Sequence, residues 1–183
     1  MKKGMIVRTK SLIAIVMGVI LFGFGFAVAQ EKPKYGGTFI VGLASDPATL
    51  NPTTTNNFYA KQVGSTVYNN LFNLDFDMNP VPELAKSFEV SSDGKTDTIH
   101  LVDTTWHDGK PFTSEDVKFS FEELTMKYHP GGKQWKDIIK EIKTPNPRTV
   151  IFELNETFAP FFFKNAYDTY ILPKHLFQGT DVL

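Results

Sequence analysis

The 183-residue chain contains no cysteine, which excludes disulfide scaffolds, cysteine zinc sites, thiol nucleophiles and lipoproteins anchored through a cysteine. Arginine is also scarce, because only Arg148 lies beyond residue 29. Four of the 19 Lys and Arg residues lie in the first 29 positions, where there is no acid, so the remainder has 15 basic and 20 acidic residues and a formal charge of −5. A nucleic-acid-binding protein needs clustered basic side chains to neutralise phosphates, so the composition argues against that class.

The composition is that of a globular protein with room for one domain and a short appendage. Hydrophobic residues make up 42% of the chain and charged residues 21%, which disfavours a disordered or fibrous chain. A chain of this length can bury a substantial core.

Residues 1–29 have the three parts of a secretory signal peptide. A basic start through Lys10 precedes an apolar stretch from Leu12, and Ala27-Val28-Ala29 fits a small-x-small cleavage site. We therefore expect cleavage after Ala29 and release of the mature chain into a periplasmic space. The alternative is an uncleaved membrane anchor, because Leu12–Ala29 is just long enough to cross a bilayer.

The rest of the chain predicts a mixed α/β (α+β) fold. The apolar run 38–43 after Gly36-Gly37 predicts a buried strand, and 45–52 predicts a loop with two prolines. The spacing of apolar residues predicts a helix over 58–72, although Gly64 weakens it.

Local turn and capping signals predict most of the remaining elements. Asp93-Gly94 between alternating segments predicts a β-hairpin, and His107–Pro111 predicts a second turn. Thr113 and Asp116 form a capping box that starts a helix with Val117, Phe121 and Leu124 on one face. Beyond it we expect a helical turn at Trp135, a strand that pairs with 149–154, and short helices after Pro160 and Pro173.

Catalytic and metal-binding patterns find no support in the sequence. His107-Asp108 could form a metal pair or an acid–base dyad, but a structural turn is the better interpretation, because no further ligand follows at helical spacing. No serine lies in a Gly-x-Ser-x-Gly motif, and neither Gly-Gly pair precedes a Lys-Ser/Thr. We therefore predict no catalytic residue, no metal site and no cofactor.

The segment 158–167 is unusually rich in aromatic residues. Four phenylalanines and Tyr167 lie within ten residues. They form part of the core, which is the favoured interpretation, or they line an interface or a ligand wall.

The order of segments over 35–177 resembles the N-terminal part of the family 5 solute-binding proteins of ABC transporters, which includes oligopeptide-, dipeptide- and nickel-binding members. The matching segments are Gly36–Phe39, Ser45–Pro52, Val67–Phe72, Pro82–Lys95, Trp106–Ser120, Ala159–Phe162 and Ile171–His175. Val102 departs from the family pattern, which has a basic residue at the end of that hairpin.

The resemblance implies a periplasmic binding protein-like lobe with an inserted subdomain, without the second large lobe of the family. Residues 30–55 would begin the first lobe, roughly 56–158 would be the inserted subdomain, and 159–183 would return to the first lobe. The chain is thus expected to be a truncated copy, a gene fragment or the misassigned start of a longer protein.

The resemblance also implies the function. We expect an exported component of an ABC importer that binds a small peptide for delivery to a membrane permease. Ser45, Asp46 and Pro47 would be on the ligand side, because the corresponding loop of the family reaches the cleft. A nickel, haem or sugar ligand and a non-functional fragment are the alternatives.

Overall fold

The computed structural model describes residues 35–182, so the signal-peptide predictions for residues 1–29 lie outside the described residues. The contacts divide the chain between Val41 and Gly42. All helices and strands of the described part belong to the unit Gly42–Leu183. The unit begins with a 3-10 turn (Pro52–Thr54) and α1 (Phe58–Gly64), followed by four strands: β1 (Phe72–Leu74), β2 (Pro80–Pro82), β3 (Ala85–Val90) and β4 (Thr96–Leu101). A helical region comes next, with α2 (Ser114–Phe119), a π-helical segment (Ser120–Thr125), α3 (Met126–Tyr128) and α4 (Gly132–Ile138). The chain ends with β5 (Ile139–Asn146), β6 (Thr149–Leu154), α5 (Phe161–Asp168) and α6 (Lys174–Phe177).

Four strands form an antiparallel sheet in the order β3-β4-β6-β5, and β1 and β2 form a separate hairpin. The predicted β3–β4 hairpin is confirmed, and Gly94 in its turn has φ +66°, a left-handed conformation that favours glycine. The strand predicted before residue 149 is also confirmed, because β5 pairs with β6.

One face of this sheet is covered by the helices and forms the main core. Ile99 on β4 and Val150 and Phe152 on β6 are fully buried beneath α2, α4 and α5. Trp135 of α4 packs edge-on against Phe121 and Phe161, with ring centroids 5.4 and 6.0 Å away. Such edge-to-face pairs stabilise a core beyond their buried area.

The helix predicted after Thr113 begins at Ser114 as expected and continues as the π-helical segment from Ser120. The backbone N–H of Thr113 donates to Asp116 Oδ2 at 2.8 Å, so the capping box is present. The predicted apolar face is buried, although Val117 and Phe121 join the main core and Leu124 joins a second cluster with Tyr170 and Leu172.

The aromatic segment 158–167 contributes mainly to the core, as favoured from the sequence. Phe161 is 1% exposed, and Phe158 and Phe162 pack against the core while partly buried. Phe163 is 39% exposed, and the side chain of Tyr167 lies outside the described part.

The predicted strand over 38–43 is wrong. These residues have no regular structure, and Phe39 and Ile40 are 90% and 87% exposed. A strand needs a neighbouring strand for its backbone hydrogen bonds, and an apolar run does not by itself supply one.

The helix predicted over 58–72 is correct at its start and too long at its end. α1 ends at Gly64, where an added Cβ would lie 2.7 Å from Pro52 Cγ. Beyond it the chain becomes extended, because Asn70 pairs with Tyr170 and Phe72 pairs with Pro82. Tertiary pairing thus overrides the helical pattern after Gly64.

Candidate functional site

The predicted ligand loop lies on the surface of the protein. Ser45 and Asp46 are exposed, Pro47 is half-buried, and none of the three lines either of the two grooves described below. The end of the loop is fixed, because Asn51 Oδ1 accepts the backbone N–H of Thr53 and Asn51 Nδ2 donates to the carbonyl of Val182 at 3.1 Å. The loop then leads through the 3-10 turn to α1.

The turn at His107-Asp108 is confirmed as a turn. The backbone N–H of Gly109 donates to the carbonyl of Trp106 at 2.9 Å, and Gly109 has φ +84°. Asp108 Oδ2 lies 2.7 Å from His175 Nε2, so its partner comes from α6 rather than from the adjacent histidine. This hydrogen bond is the main reason that the pKa of Asp108 lies below its ordinary value.

A second set of bonds joins α2 and the start of the π-helical segment to Leu172 and to Lys174, the first residue of α6. The backbone N–H of Lys174 donates to Asp116 Oδ1, and Lys174 Nζ donates to Glu115 at 2.9 Å. Hydrogen bonds from Thr144 and then Lys174 lower the pKa of the Glu115 carboxyl. The backbone N–H of Leu172 donates to Ser120 Oγ at 2.9 Å. The segments 106–120 and 171–175, which both carry the family resemblance, are therefore joined to each other by hydrogen bonds.

A groove of about 390 Å³ lies between α1 and α4, and we call it the α1–α4 groove. Its volume is within the range of about 300–1,000 Å³ typical of small-molecule pockets. Side chains from three separate parts of the chain meet there. The described residues that line it are Asn56, Phe58, Lys61, His129, Gly131, Gln134 and Lys164.

The start of α1 positions one wall of the groove. Asn57 Oδ1 accepts the backbone N–H of Ala60 at 2.9 Å and caps the helix. Because Asn57 is the N-cap, Asn56 lies just before the helix and Phe58 is its first residue. Phe58 is 71% exposed, so it presents an apolar surface to solvent instead of packing in the core.

The opposite wall carries a buried histidine of defined hydrogen bonding. His129 is 5% exposed, and its Nδ1 accepts the backbone N–H of Gly131 at 3.0 Å. In the neutral ring the proton is therefore on Nε2. Lys164 Nζ lies 5.1 Å from the centroid of the buried Trp135 ring, within the range of a cation–π interaction.

A second groove of about 330 Å³ also uses Phe58 and Lys61. Its acidic residue, Glu83, already accepts hydrogen bonds from Asn69 Nδ2 at 2.6 Å and the backbone N–H of Asn70 at 2.8 Å. That carboxylate is therefore a structural acceptor and is less suited to a ligand. The α1–α4 groove is the stronger candidate site.

Reasoning from sequence missed this groove. Its two walls lie about seventy residues apart in sequence, and no local pattern relates residues at that distance. The Gly131-Gly132 pair is the one local signal, because adjacent glycines are typical of a loop, and His129 and Gly131 meet in the turn before α4.

Two further features bear on the class of site. Within residues 35–182, no group of three or more His, Asp or Glu side chains is arranged to bind a metal ion. Among the same residues, no helix is long and apolar enough to cross a membrane.

Comparisons with known proteins agree on one family. Residues 79–181 match the family model of bacterial extracellular solute-binding proteins, family 5 (middle). The chain is 32% identical over 155 residues to a putative ABC transporter peptide-binding protein of Brucella ovis, covering 83% of this chain and 29% of that protein. It is 33% identical over 165 residues to the probable D,D-dipeptide-binding periplasmic protein DdpA of Escherichia coli, covering 86% and 30% of the two chains.

Solved structures give the same result for the fold. The ABC transporter substrate-binding protein CtaP of Listeria monocytogenes superposes with a TM-score of 0.70 at 30% identity, over 80% of this chain and 30% of that one. The oligopeptide-binding protein AppA of Bacillus subtilis, in complex with a nonapeptide, superposes with a TM-score of 0.74 at 24% identity, over 82% and 30%. The chain thus spans less than a third of the length of these relatives. The predicted mixed α/β fold of a partial binding-protein lobe is confirmed.

Proposed function

Because the chain belongs to the family 5 bacterial extracellular solute-binding proteins, which are not enzymes, we propose that it is the exported peptide-binding component of an ABC importer. Cleavage after Ala29 would release it outside the cytoplasm, and a membrane permease would receive the peptide. The similarity to relatives described as peptide-binding supports a peptide as the ligand.

The observation that carries the proposal is the chemistry of the α1–α4 groove. Asn56 and Gln134 bring side-chain amides, each with donors and an acceptor that match a peptide backbone. The exposed ring of Phe58 offers apolar surface for a ligand side chain. A few polar groups beside an apolar wall are typical of a small-molecule site.

The predicted ligand residues Ser45, Asp46 and Pro47 remain part of the proposal. They precede the 3-10 turn that leads to Asn56, the first residue of the groove lining. We also retain the predicted division into 30–55, 56–158 and 159–183 as a proposal.

The test is calorimetric titration of the purified full chain with a mixture of tripeptides to pentapeptides. We expect saturable binding that Phe58→Ala weakens by about tenfold, because burial of an aromatic ring against a ligand is lost. Phe76→Ala is the matched control, since Phe76 is fully exposed and is not among the residues that line the groove. Equal loss in both variants, or no binding by the wild type, would contradict the proposal.

A further inference from the structure

Two short segments of the sequence have an asparagine followed two positions later by a threonine. These segments are Asn51-Pro52-Thr53 and Asn155-Glu156-Thr157. Attachment of an N-linked glycan to an exported protein requires the pattern Asn-x-Ser/Thr, in which the middle residue is not proline. Pro52 excludes the first segment, so Asn155 is the one position of the sequence that fits the pattern.

The segment 155–157 lies on the surface, where an enzyme can reach it. All three of its residues are exposed. They follow the end of β6 at Leu154 and belong to the bend that leads to α5 at Phe161. A surface connection between regular elements is the structural context expected of an N-glycosylation acceptor.

The two side chains that define the pattern are each held by an exposed hydrogen bond. Asn155 Nδ2 donates to the carbonyl of Asp137 at 2.9 Å, and Thr157 Oγ1 donates to the carbonyl of Asp93 at 3.0 Å. The net contribution of such a bond is small, because water forms an equivalent bond when the contact opens. The amide of Asn155 and the hydroxyl of Thr157 are therefore available to an enzyme at little cost.

The excluded segment at Asn51 differs from the segment 155–157 in its structure as well as in its sequence. Pro52 and Thr53 are buried. Asn51 Oδ1 accepts hydrogen bonds from the backbone N–H of Thr53 at 3.1 Å and from its hydroxyl at 2.6 Å. This asparagine and threonine are thus bound to each other inside the fold, so Asn51 is an internal control with the same spacing.

Acidic side chains flank the exposed acceptor. Glu156 is exposed, and the Glu153 side chain is 27% exposed and pairs with Lys143 on β5. A surface ion pair contributes little to stability, so it does not prevent Glu153 from contacting another cation. The segment is therefore complementary in charge to an enzyme that binds it in a basic cleft.

We propose that Asn155 is an acceptor for an N-linked glycan outside the cytoplasm. This inference goes beyond peptide binding and rests only on the export step of the proposed function. The co-reactant is an oligosaccharide joined to a lipid through a pyrophosphate, and the enzyme is a membrane oligosaccharyltransferase. A bond forms between Asn155 Nδ2 and C1 of the first sugar, while the bond from C1 to the pyrophosphate oxygen breaks. The amide nitrogen gives one proton to a base, and the lipid pyrophosphate leaves.

The experiment incubates the purified full chain with a bacterial oligosaccharyltransferase and its lipid-linked oligosaccharide, followed by intact-mass spectrometry and peptide mapping. We expect a mass increase of one glycan on the peptide that contains Asn155, and none on the peptide that contains Asn51. Asn155→Gln and Thr157→Val should abolish transfer, whereas Thr157→Ser keeps the hydroxyl and should retain transfer at a lower rate. Urea unfolding checks that each variant is folded.

A second arm produces the full chain in a bacterial host with and without the transferase. Protein that begins at Gln30 and carries the glycan only when the transferase is present would support the inference. Exported protein that stays unmodified in the host and in the purified reaction, or a glycan on another residue, would overturn this inference alone. Retention of the chain in the cytoplasm would contradict the proposed export, and this inference with it.

Discussion

Replacement of Asp97 by asparagine should remove a pH-dependent loss of stability. Asp97 lies on β4 between Val90 of β3 and Phe152 of β6, and it is 2% exposed. Its Oδ2 has no hydrogen-bond partner among the described residues. Burial raises the pKa of this carboxyl from its ordinary 3.8 to about 6. The folded protein therefore retains a proton that the unfolded chain releases.

The sign and size of the effect follow from these two pKa values. Below pH 3.8 both states are protonated, so ionisation of Asp97 costs nothing. As the pH rises towards 6 the unfolded state ionises first, and the free energy of unfolding falls. One pKa unit corresponds to about 1.4 kcal/mol, so the full loss is about 3 kcal/mol, of which about 2 kcal/mol falls between about pH 4 and pH 6.

The assay is urea unfolding followed by tryptophan fluorescence from about pH 4 to pH 7. Asparagine cannot ionise, so the stability of Asp97→Asn relative to wild type should rise by about 2 kcal/mol over this range. Asp77→Asn, in the exposed β1–β2 turn, is the control and should track the wild type at every pH. A difference for Asp97→Asn that stays constant with pH would refute the reasoning.

Four other predictions follow from the fold and the sequence. Gly132→Ala should destabilise the protein by more than about 2 kcal/mol in urea unfolding, because the added Cβ would lie 2.5 Å from the carbonyl oxygen of Thr125; wild-type stability would contradict this. Trp135→Ala should cost about 3–5 kcal/mol in the same assay, since it empties a fully buried site, and a loss below about 1 kcal/mol would contradict the packing described. Mass spectrometry of the exported protein should show Gln30 as its first residue, whereas an intact N-terminus would contradict cleavage after Ala29. Calorimetric titration with zinc or nickel should show no tight site at His107, and a submicromolar site abolished by His107→Ala would overturn that prediction.

Local signals predicted the parts of the fold that depend on neighbouring residues. The Asp93-Gly94 turn, the capping box from Thr113 to Asp116 and the strand 149–154 are all present, because each depends on bonds within a few residues or on strong β propensity. The short helices after Pro160 and Pro173 are present for the same reason.

Long-range contacts determined the parts that the sequence did not predict. The segment 38–43 has strand-forming residues but forms no strand, and α1 ends at Gly64, which packs against Pro52, before a turn and the extended segment in which Asn70 pairs with Tyr170. The α1–α4 groove was missed because Asn56 and Gln134 meet only after folding. The bond between Asp108 and His175 could not be inferred from either motif alone.

Hydrogen–deuterium exchange with and without saturating peptide is the most direct test of the central claim that the α1–α4 groove binds the ligand. The measurement reports protection along the whole chain at once. We predict slower exchange on peptide binding in 56–61, 129–134 and around Lys164, with no change in the exposed β1–β2 turn at 75–79. Protection confined to other segments, with the groove unchanged, would contradict the claim.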